Sequence, residues 1–156
     1  MQKRLWQYII KQNLTMNNTP KRFLGIDYGN KRIGISISDK SNTIANPFST
    51  IINTGFNNVL NQIIEIISKE QVTDIIIGLP LSFNFDNTEQ TDLTQKFIDF
   101  INEKLYNINV HIENEILSTK EAENRLDNLA DKKSVIDETA SSLILQSYLD
   151  KINHGQ

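Results

Sequence analysis

The chain has 156 residues, 38% of them hydrophobic and 22% charged, which is room for one ordinary globular domain with a complete core. It contains no cysteine, which excludes a disulfide framework and any cysteine-ligated metal site, and a reducing, cytoplasmic setting is expected. The net charge of −3 argues against a protein that grips nucleic acid by charge alone.

That charge is uneven. Lys3, Arg4, Lys11, Lys21, Arg22, Lys31 and Arg32 stand against Asp27 alone, so residues 1–32 carry +6 and the remainder −9. Such a split marks either a face for polyanions or a solvated basic tail. No stretch approaches the roughly 18 consecutive apolar residues of a membrane span, and the N-terminus lacks a secretory signal, so no membrane partner is expected.

Residues 1–22 contain no Asp or Glu and end in the polar "TMNNTPKR", which reads as an N-terminal extension, disordered or peripheral. Met16 lies inside it, so residues 1–15 are read first as a mis-assigned start. The competing readings are a basic arm that touches nucleic acid and an amphipathic targeting segment built on Trp6, Ile9 and Ile10. Residues 23–152 then form a single domain.

"RFLGID" reads as a strand, Gly29-Asn30 as a tight turn, and "RIGISISD" as a second strand with Ile33, Ile35 and Ile37 alternating with small or polar residues. An edge strand is expected near Phe48–Ile52. Phe56, Val59, Leu60, Ile63, Ile64 and Ile67 then recur at three and four, the stripe of a core-facing helix. "DIIIGLPL" is a short unbroken apolar run, as in a parallel strand buried on both faces.

A second helix is expected over Glu89–Lys104, with Leu93, Phe97, Ile101 and Leu105 on one side, and a strand "INVHI" over 108–112. Two strand–helix–strand units imply right-handed crossovers and an α/β sheet with helices packed on it. "STKE" at 118–121 has the capping-box pattern, and "SVID" opens a last helix whose Ile136, Ala140, Leu143, Ile144 and Tyr148 form a stripe.

Three acids stand at the ends of these elements. Asp27 ends the first strand, Glu115 follows the "INVHI" strand by three residues, and Asp137 sits in the first turn of the last helix. If the first and last parallel strands are neighbours, Asp27 and Glu115 emerge at one edge, where a helix packed across it can add Asp137. Carboxylates held so close repel unless a divalent cation lies between them, and oxygen-only ligands favour Mg²⁺ or Mn²⁺. A two-ion site of this kind activates water and steadies the leaving oxygen in phosphodiester cleavage. Each acid also has a plainer reading, as a turn residue, a solvated loop residue and a helix-dipole partner respectively. Asp39 and Asp74 read as turn or cap residues, His111 and His154 as non-catalytic, and Ser118 and Thr119 as a helix cap.

In combination these segments resemble the YqgF/RuvX family, Holliday junction resolvase-like proteins regarded as pre-16S rRNA nucleases, in the ribonuclease H-like superfamily. "GIDYGNKRIGISISD", "IIIGLPL", "NEILST" and "VIDETASSLILQSYLD" carry the resemblance, which runs from about Phe23 to Asp150. It implies a mixed five-stranded ribonuclease H-like sheet with helices on both faces. It also implies Asp27, Glu115 and Asp137 as catalytic ligands of Mg²⁺ or Mn²⁺, with Asp27 bridging two ions.

Gly29, Lys31 and Arg32 would meet the phosphodiester backbone, with Lys132 and Lys133 as weaker candidates and hairpin surface charge as the alternative for Lys31 and Arg32. The partners implied are precursor rRNA, ribosome assembly particles or branched DNA, met as a monomer or weak homodimer. The chain departs from the family at Asn114 and Ile116, where an acid and an arginine are usual. It departs again in the loop "SFNFDNTEQT", where Asn87 replaces a glycine and is expected to keep its left-handed turn, and mildly at Ala140 and Ser141.

Two rivals remain. A fold-keeping protein that binds nucleic acid without cutting is one. An actin-like ATPase is the other, disfavoured because only one such domain fits in 156 residues.

Overall fold

Isoleucine decides which face of the sheet becomes the main core. The computed structural model describes residues 20–82, 84–116 and 133–155, with the backbone alone for Ile116 and residues 133–138. The extension to residue 19, the Ser118 cap and Lys132 lie outside the described residues. Strands β1 (Phe23–Asp27), β2 (Arg32–Ser38), β3 (Ala45–Ile52), β4 (Asp74–Leu81) and β5 (Asn109–Ile116) form one sheet in the order β3-β2-β1-β4-β5. The β1–β2 and β2–β3 pairs are antiparallel, whereas β1–β4 and β4–β5 are parallel.

Helices α1 (Phe56–Glu70) and α2 (Glu89–Lys104) cover one face, and α3 (Lys133–His154) crosses the other. On the α1/α2 face Leu24, Ile26, Ile33, Ile35, Ile75 and Ile77 are wholly buried against Val59, Ile63, Phe97 and Ile101. Each contributes about 2 kcal/mol of burial.

The opposite face sets small and polar residues beside Phe23 and Ile76. A methyl group added at Gly25 would lie 2.8 Å from Leu145 Cβ and 2.9 Å from the Ser141 carbonyl oxygen, and Ser36 donates to that same oxygen at 2.8 Å. Helix α3 therefore rests almost on the sheet backbone, with Ile144, Leu145 and Leu149 packed against Phe23 and Ile76. Leu143, expected on this stripe, is instead 59% exposed. The buried arc is formed by Ala140, Ser141, Ile144, Leu145 and Leu149, because the close approach sets Ser141 and Leu145 over Gly25 and leaves Leu143 on the outer side of the helix.

Three further expectations are corrected. Strand β3 begins at Ala45 rather than near Phe48, since an edge strand accommodates Pro47 beside the register shift at Ile35/Ser36. Strand β5 runs on to Ile116, because Leu79, Pro80 and Leu81 of β4 continue the ladder to Asn114, Glu115 and Ile116. Asp74 is no simple cap. It is wholly buried and accepts from Thr73 Oγ1 at 2.7 Å, His111 Nε2 at 2.9 Å and Asn109 Nδ2 at 3.2 Å.

Asp39 does act as the expected turn residue. The Ile44 backbone amide, with help from the Ser41 hydroxyl and the Thr43 amide, lowers its pKa to about 2. Asp74→Ala removes a buried acceptor shared by three partly exposed donors, so urea denaturation is expected to show a loss of about 1–2 kcal/mol. Asp74→Asn, which keeps an acceptor, is expected to lose less.

Candidate active site

Asp27 is held from behind by its neighbour. Tyr28 is buried, stacked on Phe97 at 4.6 Å between ring centres and edge-on to Phe56 at 6.1 Å. Its carbonyl accepts from Gln90 Nε2 at 3.1 Å, and the Gly29 carbonyl accepts from Asn53 Nδ2 at 2.9 Å. The Asn53 amide in turn donates to the Lys31 carbonyl at 3.0 Å. A methyl at Gly29 would stand 2.4 Å from the Arg32 carbonyl oxygen, so the turn closes only around glycine. Lys31 on this turn is exposed and Arg32 half-buried.

Alternation along β1 puts Asp27 on the same face as Gly25, the face that α3 covers. Ile26 pairs with Ile77, so the next step brings Asp27 level with Gly78 on β4. The first and last parallel strands are not neighbours, as β4 lies between them. Glu115 nevertheless reaches the same place. It pairs with Pro80, and its Oε2 turns back to 3.1 Å from the position a Cβ on Gly78 would occupy. Strands lie about 4.8 Å apart, so the Glu115 carboxylate sits one strand from Asp27 with a bare glycine as the floor between them. Both acids are half-buried.

Helix α3 runs antiparallel to β1, since Ser141 meets Gly25 while Tyr148 and Leu149 meet Phe23. Residue 137, one turn before Ser141, therefore has its backbone toward the Asp27 end. The side chains of Asp137 and Lys133 lie outside the described residues, which themselves contain no group of three or more His, Asp or Glu able to hold a metal ion. The two acids that are described offer hard oxygen ligands, a donor set that suits Mg²⁺ or Mn²⁺.

Residues that sequence reasoning passed over support this end of the sheet. Asn53 and Gln90 pin the turn, and Glu113, buried on the face that carries Glu115, ties β5 to α3 by accepting from Ser147 Oγ at 2.8 Å and pairing with Lys151. The signal for Glu113 was its spacing, since His111, Glu113 and Glu115 recur every second residue on one strand. Burial, and then the nearby charges of Asp74 and Glu113, raise the pKa of Tyr148, whose ring lies 5.1 Å from His111. The left-handed residue in the loop after β4 is Phe85, not Asn87.

A mixed sheet in this order, with acids collected at one end beneath a lone helix, defines a ribonuclease H-like fold of the resolvase type. Solved structures share it. The Fowlpox virus resolvase in complex with Holliday junction DNA aligns with a TM-score of 0.53 at 14% identity, covering 84% of this chain and 98% of that one. Thermus thermophilus RuvC aligns at 0.50 and 8% identity, covering 85% and 96%.

The chain belongs to the RuvX family, described as Holliday junction resolvase, whose model matches residues 21–151. Relatives named pre-16S rRNA nuclease include one from Rickettsia conorii, 35% identical over 145 residues and covering 90% of this chain and 92% of its own. Another, from Roseiflexus sp., is 36% identical over 139 residues, covering 86% and 98%. Among the described residues no helix is long and apolar enough to cross a membrane.

Gly78→Ala would press on Ile144 Cδ1 at 2.5 Å as well as on Glu115. It is expected to cost about 2 kcal/mol of stability. Ile144→Val in the same chain removes Cδ1 and is expected to restore most of the melting temperature without restoring Mn²⁺ affinity, as calorimetric titration would read.

Proposed function

We propose that this chain is a metal-dependent nuclease that hydrolyses phosphodiester bonds and acts in 5′ end maturation of precursor 16S rRNA. The observation that carries the reading is the Glu115 carboxylate folded over Gly78 beside Asp27. Two half-buried acids brought to neighbouring strands at one end of the sheet are a ligand set suited to a hard divalent cation.

Asp27, Glu115 and Asp137 would hold the divalent ions. When bound, the ions supply charge neutralisation at the reacting phosphate and ease deprotonation of the attacking water. The chain's own residues do the rest. Asp27, fixed through the buried Tyr28 ring, keeps its carboxylate in one position without reorganisation. The bare turn at Gly29 lets a sugar-phosphate backbone come close, and Lys31 and Arg32 hold that backbone in register without reading its bases. Lys132 and Lys133 would add to the same grip. The pre-16S substrate is supported by the names of the relatives, each matched over most of its length. Ribosome assembly particles are its natural setting, met by a monomer or a weak homodimer in the cytoplasm.

The family description favours a second substrate, branched DNA. Both are tested by incubating wild type and Asp27→Asn with end-labelled single-stranded RNA bearing a 5′ extension, and with a four-way DNA junction, in Mn²⁺ or EDTA. RNA cutting that needs Mn²⁺ and falls at least about a hundredfold in the variant is expected, since even outer-shell ligands cost up to that much. Cutting of the junction alone would replace rRNA by DNA. No cutting of either by a folded protein would return the chain to a binding role, in keeping with Asn114 and Ile116 beside Glu115.

A further inference from the structure

Strand β4 ends at Leu81, at the same end of the sheet as Asp27 and Glu115, and the loop that leaves it holds an unusual residue. Phe85 has φ +63°, a left-handed backbone that a bulky side chain rarely adopts. Its ring is 65% exposed and makes no aromatic contact among the described residues.

The conformation is imposed by a closed turn. The Phe85 amide donates to the Ser82 carbonyl at 2.9 Å, the Ser82 amide to the Asp86 carbonyl at 3.1 Å, and the Asp86 amide to Ser82 Oγ at 2.9 Å. Glycine or asparagine would hold such a turn with less strain, and asparagines stand close by at 84 and 87. The fold thus spends strain and exposes an aromatic ring at the rim of the candidate site, a combination that points to a ligand.

The surroundings say what kind. Asp86, next in sequence, and Glu89 and Asp92 in the first turn of α2 make this side of the rim acidic, which repels phosphate, while the cations Lys31 and Arg32 stand where the β1–β2 turn enters β2. A strand whose backbone follows those cations would turn an uncharged base toward the loop. We propose that Phe85 is a stacking platform for a nucleobase of a single-stranded substrate, as unpaired bases leave their faces free for aromatic side chains. This rests on the nuclease reading above and adds where a base of the strand is held.

The test measures binding without cleavage, using a short unstructured single-stranded RNA in EDTA. The chain has one tryptophan, Trp6, so Trp6→Phe combined with Phe85→Trp leaves the introduced indole as the only reporter. Its emission is expected to be quenched as RNA is added. Phe85→Ala and Phe85→Gly are expected to weaken binding about tenfold and Phe85→Tyr to leave it unchanged. Phe85→Gly should also melt at a higher temperature than wild type. A gain in stability with a loss of binding is a pairing that a packing role does not produce. Undiminished binding by the Ala and Gly variants, with no change in indole emission, would overturn the platform and leave the nuclease reading intact. Absence of RNA binding by wild type and all variants would overturn both.

Discussion

Helix α3 approaches the sheet as closely as it does because Gly25, Ser36 and Gly78 place almost nothing between them, and the candidate site depends on that approach. The Ser36 hydroxyl and the Ser141 carbonyl share a hydrogen bond in the space where larger side chains would have kept helix and strands apart. The same want of a side chain at Gly78 gives the Glu115 carboxylate its resting place. Close packing and the gathering of acids therefore have one cause, and a methyl group at either glycine disturbs both.

The two faces of the sheet divide the work. Isoleucines against α1 and α2 supply the burial that drives folding, and the Tyr28–Phe56–Phe97 cluster extends that core to the residue after Asp27. The α3 face carries the ionisable groups and compensates them one by one. Asp74 is surrounded by donors at the start of β4, and Glu113 is paired with Lys151 and Ser147. Asp27 and Glu115 come to the end of this face on neighbouring strands, Asp27 level with Gly78 and Glu115 folded back toward it.

Much of this was legible along the chain. The α1 stripe from Val59 to Ile67, the bounds of α2 and the apolar run of β4 follow from periodicity, since each buries one continuous set of side chains. Leu143 and Asp74 were misread because local pattern carries no information about how near a helix lies or which donors converge on an acid from other strands. Asn53 and Gln90 were not visible at all. They act through backbone carbonyls 24 and 62 residues away, and nothing in their own neighbourhood marks them.

The sequence by itself determined the kind of the described elements and the glycine turn after Asp27, because spacing and backbone freedom are local properties. Only the tertiary structure decided which strand lies between Asp27 and Glu115, and that Glu115 belongs to β5 and folds back over Gly78. It also decided that the strained residue of the following loop is an aromatic. Strand order and side-chain direction are set by packing between segments distant in the chain, which no local pattern encodes.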